Sequence, residues 1–186
     1  MADFKQAYKI TMAHEGGYAN NPADTGGETW KGIARKKHPD WSGWQLVDKA
    51  KSGDFPGNLH SVTGLQPLVE QFYKQKFWDY LKLDQINSQK IANELFDTSV
   101  NMGQGTAALF LQRALNVSNR NGKDYGDLQV DGNIGAITVG AVNSHPRPEQ
   151  LFKLINTLQG AKYIGICEAN PSQEIFLTSW LSRVGL

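Results

Sequence analysis

One cysteine in 186 residues, Cys167, leaves no partner for an internal disulfide, so the chain is expected to fold on its core alone in a reducing compartment. No apolar run approaches the roughly 20 residues that span a bilayer, which argues against membrane insertion. The first residues, MADFKQAYKITMAHE, lack the basic-then-apolar pattern of a secretory leader. Neither sign of charge dominates: 19 Lys and Arg stand against 18 Asp and Glu, and a formal net charge of +1 gives nucleic acid no electrostatic footprint. Low-complexity tracts and Pro- or Ser-rich linkers are missing too. So are phosphate and dinucleotide loops, because Gly26-Gly27 is followed neither by a helix signal nor by Lys-Ser/Thr. His14-Glu15 matches the start of a zinc-protease motif, but position 18 is Tyr, and His38, His60 and His145 are scattered through polar stretches, so no metal site is expected. What is present is globular: 40% hydrophobic and 20% charged residues, enough for a real core. The expectation is a monomer made in the cytoplasm that reaches anything beyond the membrane through a separate carrier or pore.

Most of the periodicity is helical. Residues 4–15 carry Phe4, Ala7, Tyr8, Thr11 and Met12 at three- and four-residue spacing, with Asp3 as N-cap and Gly16-Gly17 as the stop. Residues 67–79 open with Pro67 in the first turn. Further helices are predicted over 88–102, 106–117, from about 136, and over 148–168, with Ser172 capping a last one that ends near Arg183. Between 16 and 64 glycine, proline, asparagine and aspartate are frequent, and no strand-length alternation persists. A long irregular stretch in a small chain points to function.

Glu15 stands out. It follows Thr11 by four residues and Met12 by three, on the stripe that carries the apolar positions. A carboxyl there is expected to be partly desolvated, and the negative end of the helix dipole pushes the same way, toward a proton retained near neutral pH. That is what a general acid needs. The alternative is a glutamate that frays into solvent at a helix end. Downstream, Glu15-x8-Asp24-x4-Thr29 leads into Trp30-Lys31-Gly32-Ile33. A glycosidase uses one carboxyl to protonate the leaving oxygen and a second group to activate water or stabilise the cationic sugar.

The runs His14-Glu15-Gly16-Gly17-Tyr18, Asn21-Pro22-Ala23-Asp24, Gly26-Gly27-Glu28-Thr29 and Gly32-Ile33 resemble glycoside hydrolase family 108, which holds bacterial and phage N-acetylmuramidases, some called secretion activator proteins. The resemblance places the catalytic acid at Glu15, with Asp24 and Thr29 holding or activating water. The Glu, Asp, Thr order is similar to that of phage lysozymes, with one residue fewer before Thr29. It implies a mainly α, lysozyme-like fold with an irregular loop region after the first helix that has room for a β-hairpin. Residues 1–94 would form the muramidase region, and 95–186 a helical region with a peptidoglycan-binding segment, packed with the first as one unit. The implied activity is hydrolysis of the β-1,4 bond between N-acetylmuramic acid and N-acetylglucosamine, without metal or organic cofactor. The partners would be peptidoglycan glycan strands, together with a holin or secretion system that lets the enzyme act in the periplasm or wall. A lytic transglycosylase and a non-catalytic wall-binding or secretion-accessory protein are the alternatives.

Other candidates carry two readings each. Asn101, two residues before Gly103, would reach into a lysozyme-like cleft, or be a polar residue near a helix stop. Tyr18 and Trp30 lie close enough to the motif to stack on sugars, although aromatic residues more often pack; Trp41, Trp44 and Trp78 are assigned to packing. Cys167, in an apolar helix, is expected to be packed as well. The segment Val130-Asp131-Gly132-Asn133-Ile134-Gly135-Ala136-Ile137-Thr138 is similar to the Asp-Gly-x-x-Gly-x-x-Thr turn of peptidoglycan-binding domains. Its aspartate is expected to accept backbone N–H groups and so build a turn, a role that needs no ligand.

Overall fold

The computed structural model describes residues 1–13, 16–20 and 27–185. Two units are distinguished, Tyr8–Lys76 and Met1–Ala7 with Phe77–Leu186. The secondary structure is mainly helical, with a small antiparallel sheet after the first helix. No helix among the described residues is long and apolar enough to cross a membrane.

Helix α1 spans Phe4–Met12, and Asp3 Oδ1 accepts from Gln6 N at 3.1 Å, the expected cap. Among its described residues, the stretch read as irregular holds three short strands, β1 (Tyr18–Asn20), β2 (Glu28–Trp30) and β3 (Ile33–Ala34), hydrogen-bonded in that order. At two or three residues each they are too short for alternation to register. Lys31 and Gly32 both have positive φ, 44° and 78°, and link β2 to β3 as a two-residue hairpin turn. Helix α2 (Gly43–Lys49) also falls in this stretch. The Trp41 ring lies so close to Gly43 that a Cβ would sit 2.2 Å from it, so only glycine fits there.

Helix α3 (Leu65–Tyr73) begins two residues before the expected position and gives way to a π-helical turn over Lys74–Asp79. Tyr73 and Trp78, five residues apart, are both buried; an α-helix would turn them to different faces, whereas i→i+5 winding does not. The smaller unit buries Trp30, Ile33, Trp44, Val47, Leu59, Leu65 and Val69. Trp41 sits edge-on to Trp44 at 5.1 Å, in keeping with its packing assignment.

In the larger unit, helices α4 (Gln89–Met102), α5 (Gln104–Ser118) and α7 (Pro148–Ala169) pack on one another, with α6 (Ala136–Ser144) against α5. Ser88 caps α4 by accepting from Ile91 N, and Gly103, at φ +91°, breaks α4 from α5. Phe4, Trp78 and Phe96 form an edge-to-face triad with centroids 5.8–5.9 Å apart. Cys167 is buried on α7. The last cap differs from expectation. Asn170, not Ser172, accepts the N–H that starts a 3₁₀ turn over Pro171–Phe176, and helix α8 (Leu177–Leu181) follows. His145 is not in a polar loop but buried: its Nε2 lies 2.9 Å from Ser118 Oγ, and its Nδ1 accepts from Arg147 N at 3.0 Å. Burial, then Arg147, lowers its pKa.

The 131–133 turn is held by α5. Gln112 Nε2 donates to Asp131 Oδ1 (2.8 Å) and Asn133 O (2.9 Å), while its Oε1 accepts from Asp131 N (3.1 Å) and Gly132 N (2.9 Å). One turn further along α5, Asn116 exchanges two 2.8 Å hydrogen bonds with Leu128. Asp131 Oδ1 also accepts from Asn133 N at 2.8 Å, the structural role expected of it. Gln112→Ala would strip four bonds from largely backbone partners, so urea unfolding is expected to show a loss of about 2–3 kcal/mol. A loss below about 0.5 kcal/mol would mean that the turn stands without its clamp.

Candidate functional site

Near the glycine pair that follows Glu15 in sequence, the smaller unit opens a cavity of about 270 Å³, lined by Tyr8, Met12, Gly16, Gly17, Lys31, His60 and Gln66. The last described residues of α1 contribute Tyr8 and Met12, the β2–β3 turn contributes Lys31, and the first turn of α3 contributes Gln66. Gly16 and Gly17 are exposed, and a Cβ on either would meet nothing within 4 Å among the described residues, which leaves the backbone open to a close approach.

The polar groups are cross-linked. Lys31 Nζ donates to Gln66 Oε1 at 2.7 Å; Gln66 Nε2 donates to Tyr8 OH at 3.1 Å and Glu70 Oε1 at 3.0 Å. Tyr73 OH donates to Lys31 O at 2.7 Å and so braces the left-handed backbone of the turn. Burial, above all, raises the Tyr8 hydroxyl pKa, so it stays protonated at neutral pH. The result is an ammonium, an amide and a phenol hydroxyl fixed around one opening, with the exposed His60 at the side. Such groups suit the hydroxyls, acetamido carbonyls and carboxylates of a substituted glycan. None of the four was singled out from sequence. The available signal was Lys31-Gly32 between Trp30 and Ile33, a hairpin pattern that puts Lys31 at a fixed turn position.

Glu15 and Asp24 lie outside the described residues. Thr29 is on β2, half-buried, opposite Ala19 on β1, and its Oγ1 donates to Gly27 O at 3.2 Å. Tyr18, the β1 partner of Trp30, is also half-buried. Its hydroxyl donates to Glu28 Oε1 at 2.8 Å and its ring meets Phe55 at 4.7 Å. Glu28 is the centre of a charged group, 2.7 Å from Arg35 and 2.9 Å from Lys51, both of which also bind Asp48. Hydrogen bonds from Arg35 and then Lys51 lower the Asp48 carboxyl pKa to about 2. Trp30 is only 2% exposed, so its ring faces are closed to sugar stacking and it serves the core; His60 sits edge-on to it at 5.2 Å. Asn101 is in the larger unit, where its amide, oriented by assignment from its hydrogen-bonding neighbours, turns its oxygen to accept from Arg183 Nε at 2.8 Å and Nη1 at 3.1 Å. Of the candidates, β1 and β2 bring Tyr18 and Thr29 onto adjacent strands. Among the described residues, no group of three or more His, Cys, Asp and Glu side chains is placed to hold a metal ion.

The family model described as Glycosyl hydrolase 108 matches residues 8–103, and one described as Predicted Peptidoglycan domain matches residues 106–185. No curated protein matches the chain. Among solved structures, the chain is similar in fold to SagA of Brucella abortus, with a TM-score of 0.61 and 21% identity over 97% of this chain and 88% of that one.

Proposed function

This chain belongs to the Glycosyl hydrolase 108 family, and from that premise we propose that it adds water across the β-1,4 bond between N-acetylmuramic acid and N-acetylglucosamine, with Glu15 as general acid. It is a glycoside hydrolase, and peptidoglycan is its partner. The observation that carries the finer reading is the cavity bordered by Gly16 and Gly17, the residues immediately after Glu15, and furnished with the fixed polar groups of Lys31, Gln66 and Tyr8. Glu15 gives its proton to the leaving oxygen as the glycosidic bond breaks. Water held by the Asp24 carboxylate and Thr29 then adds to the cationic sugar and gives its proton to that carboxylate. Since the Thr29 hydroxyl donates to Gly27 O, its oxygen lone pairs are left to accept from that water. Release from the cytoplasm through a holin-type pore or a secretion route belongs to the same proposal.

Mass spectrometry of muropeptides released from purified sacculi tests the reaction. Products are expected to carry one added water at a reducing muramic acid. Anhydro products would replace hydrolysis with transglycosylation. Sacculus binding with no released product would make the chain a wall-binding accessory.

A further inference from the structure

A second cavity, of about 310 Å³, lies in the larger unit between α5, the 127–133 segment and the start of α6. Its walls differ in charge. Two carboxylates, both on exposed residues, line it. Asp127 Oδ1 accepts from Asn119 Nδ2 at 2.7 Å, and Asp131 Oδ1 is fixed by Gln112 and the Asn133 N–H. No Lys, Arg or His lines the cavity among the described residues. Helix α6 also begins at the cavity, nine residues long, with no side-chain cap and no acidic residue in its first turn. The N–H groups of Ala136, Ile137 and Thr138 therefore lack intrahelical acceptors at the cavity wall. Thr138 is only 4% exposed, lines the cavity, and its hydroxyl is bonded to no neighbour among the described residues. That hydroxyl is therefore available to a molecule bound in the cavity. Ile137, 82% exposed, adds an apolar rim.

We infer that this cavity binds the zwitterionic end of a peptidoglycan stem peptide: an ammonium and a carboxylate on one carbon, as at the tip of a diaminopimelyl side chain. A simple cation would use Asp127 and Asp131 but leave the α6 amides and Thr138 unsatisfied. A simple anion would use the helix start and meet two carboxylates in the same cavity. A zwitterion satisfies both walls, with its ammonium toward the aspartates and its carboxylate on the first-turn N–H groups and the Thr138 hydroxyl. The inference rests on peptidoglycan as the partner and adds which part of it the second region holds.

Calorimetric titration of the full chain with L-Ala-γ-D-Glu-meso-diaminopimelate tests it. Binding is expected, and it should weaken by at least about tenfold when the side-chain carboxyl is amidated, when the side-chain amine is acetylated, or when lysine replaces the diamino acid. Thr138→Val and Asp127→Asn should each cost about tenfold in affinity, with thermal unfolding showing that both variants remain folded. The assignment is overturned if the native chain does not bind the tripeptide, if amidation leaves affinity unchanged, or if both folded variants bind like the native chain. Equal affinity for free meso-diaminopimelate would overturn the stem-peptide source in favour of a free amino acid. Reducing-end release from sacculi, measured on the same preparation, separates the two readings: release without tripeptide binding overturns the cavity assignment alone, and tripeptide binding without release overturns hydrolysis alone.

Discussion

Replacing Glu15 by glutamine is expected to lower the release of reducing ends from purified peptidoglycan by at least about a hundredfold, the low end for loss of a general acid. Glutamine keeps the length and shape of the side chain and one hydrogen-bonding oxygen, so a large fall isolates the missing proton. The leaving oxygen of a glycoside is poorly basic and departs as an alkoxide unless a proton reaches it in the transition state. The same argument fixes the shape of the pH profile. Activity should fall on the alkaline side as the Glu15 proton is lost, and that limb should vanish from the residual activity of the variant. Pull-down on sacculi should be retained, since the variant keeps the cavity formed by Tyr8, Lys31, His60 and Gln66. A variant within tenfold of the native chain would remove Glu15 from the acid role.

The second large effect concerns stability and centres on a buried acid of α4. Glu94 is 1% exposed; its Oε1 accepts from Thr98 Oγ1 at 3.3 Å, and its Oε2 is buried with no hydrogen-bond partner among the described residues. Burial first, and then the charge of Asp97, push its pKa up to about 8. The polar groups around it include Asn156, which with Thr98 opposes part of that rise, the Asp97–Arg183 ion pair at 2.8 Å, Tyr163, and Gln159, whose amide donates to Thr98. In the unfolded chain the same carboxyl ionises near the ordinary glutamate value, so between about pH 4.5 and 8 the folded state holds a proton that the unfolded state has released. The contribution of Glu94 is therefore complete below about pH 4.5 and is lost as pH rises toward 8. Urea unfolding at several pH values should show the native chain losing on the order of a few kcal/mol relative to Glu94→Gln across that window. His145 acts with the opposite sign, since burial lowers its pKa, and comparison with the glutamine variant cancels it. A constant difference between the two chains from pH 5 to 8 would show that Glu94 does not hold its proton.

Sequence alone settled what depends on neighbours a few positions away. Asp3 as the cap of α1 and Gly103 as the stop of α4 are statements about one helical turn, and a turn is built from adjacent residues. The Glu15-Gly16-Gly17-Tyr18 run and its spacing to Thr29 are equally local, which is why the family was recognisable before any geometry. Tertiary structure decided which groups lose their water. Trp30 had the same composition cues as a sugar platform, yet the folded unit leaves it 2% exposed, with His60 edge-on to its ring. Lys31 and Gln66 are 35 residues apart and became one site only when α3 met the hairpin turn. Gln112 looks like any polar residue on a helix until the turn 19–21 residues further on takes up both ends of its amide. Glu94 lies on a helix rich in polar residues, and nothing in its own segment tells it apart from its neighbours. Desolvation is imposed by elements packed from elsewhere in the chain, whereas periodicity records only the face a segment turns inward.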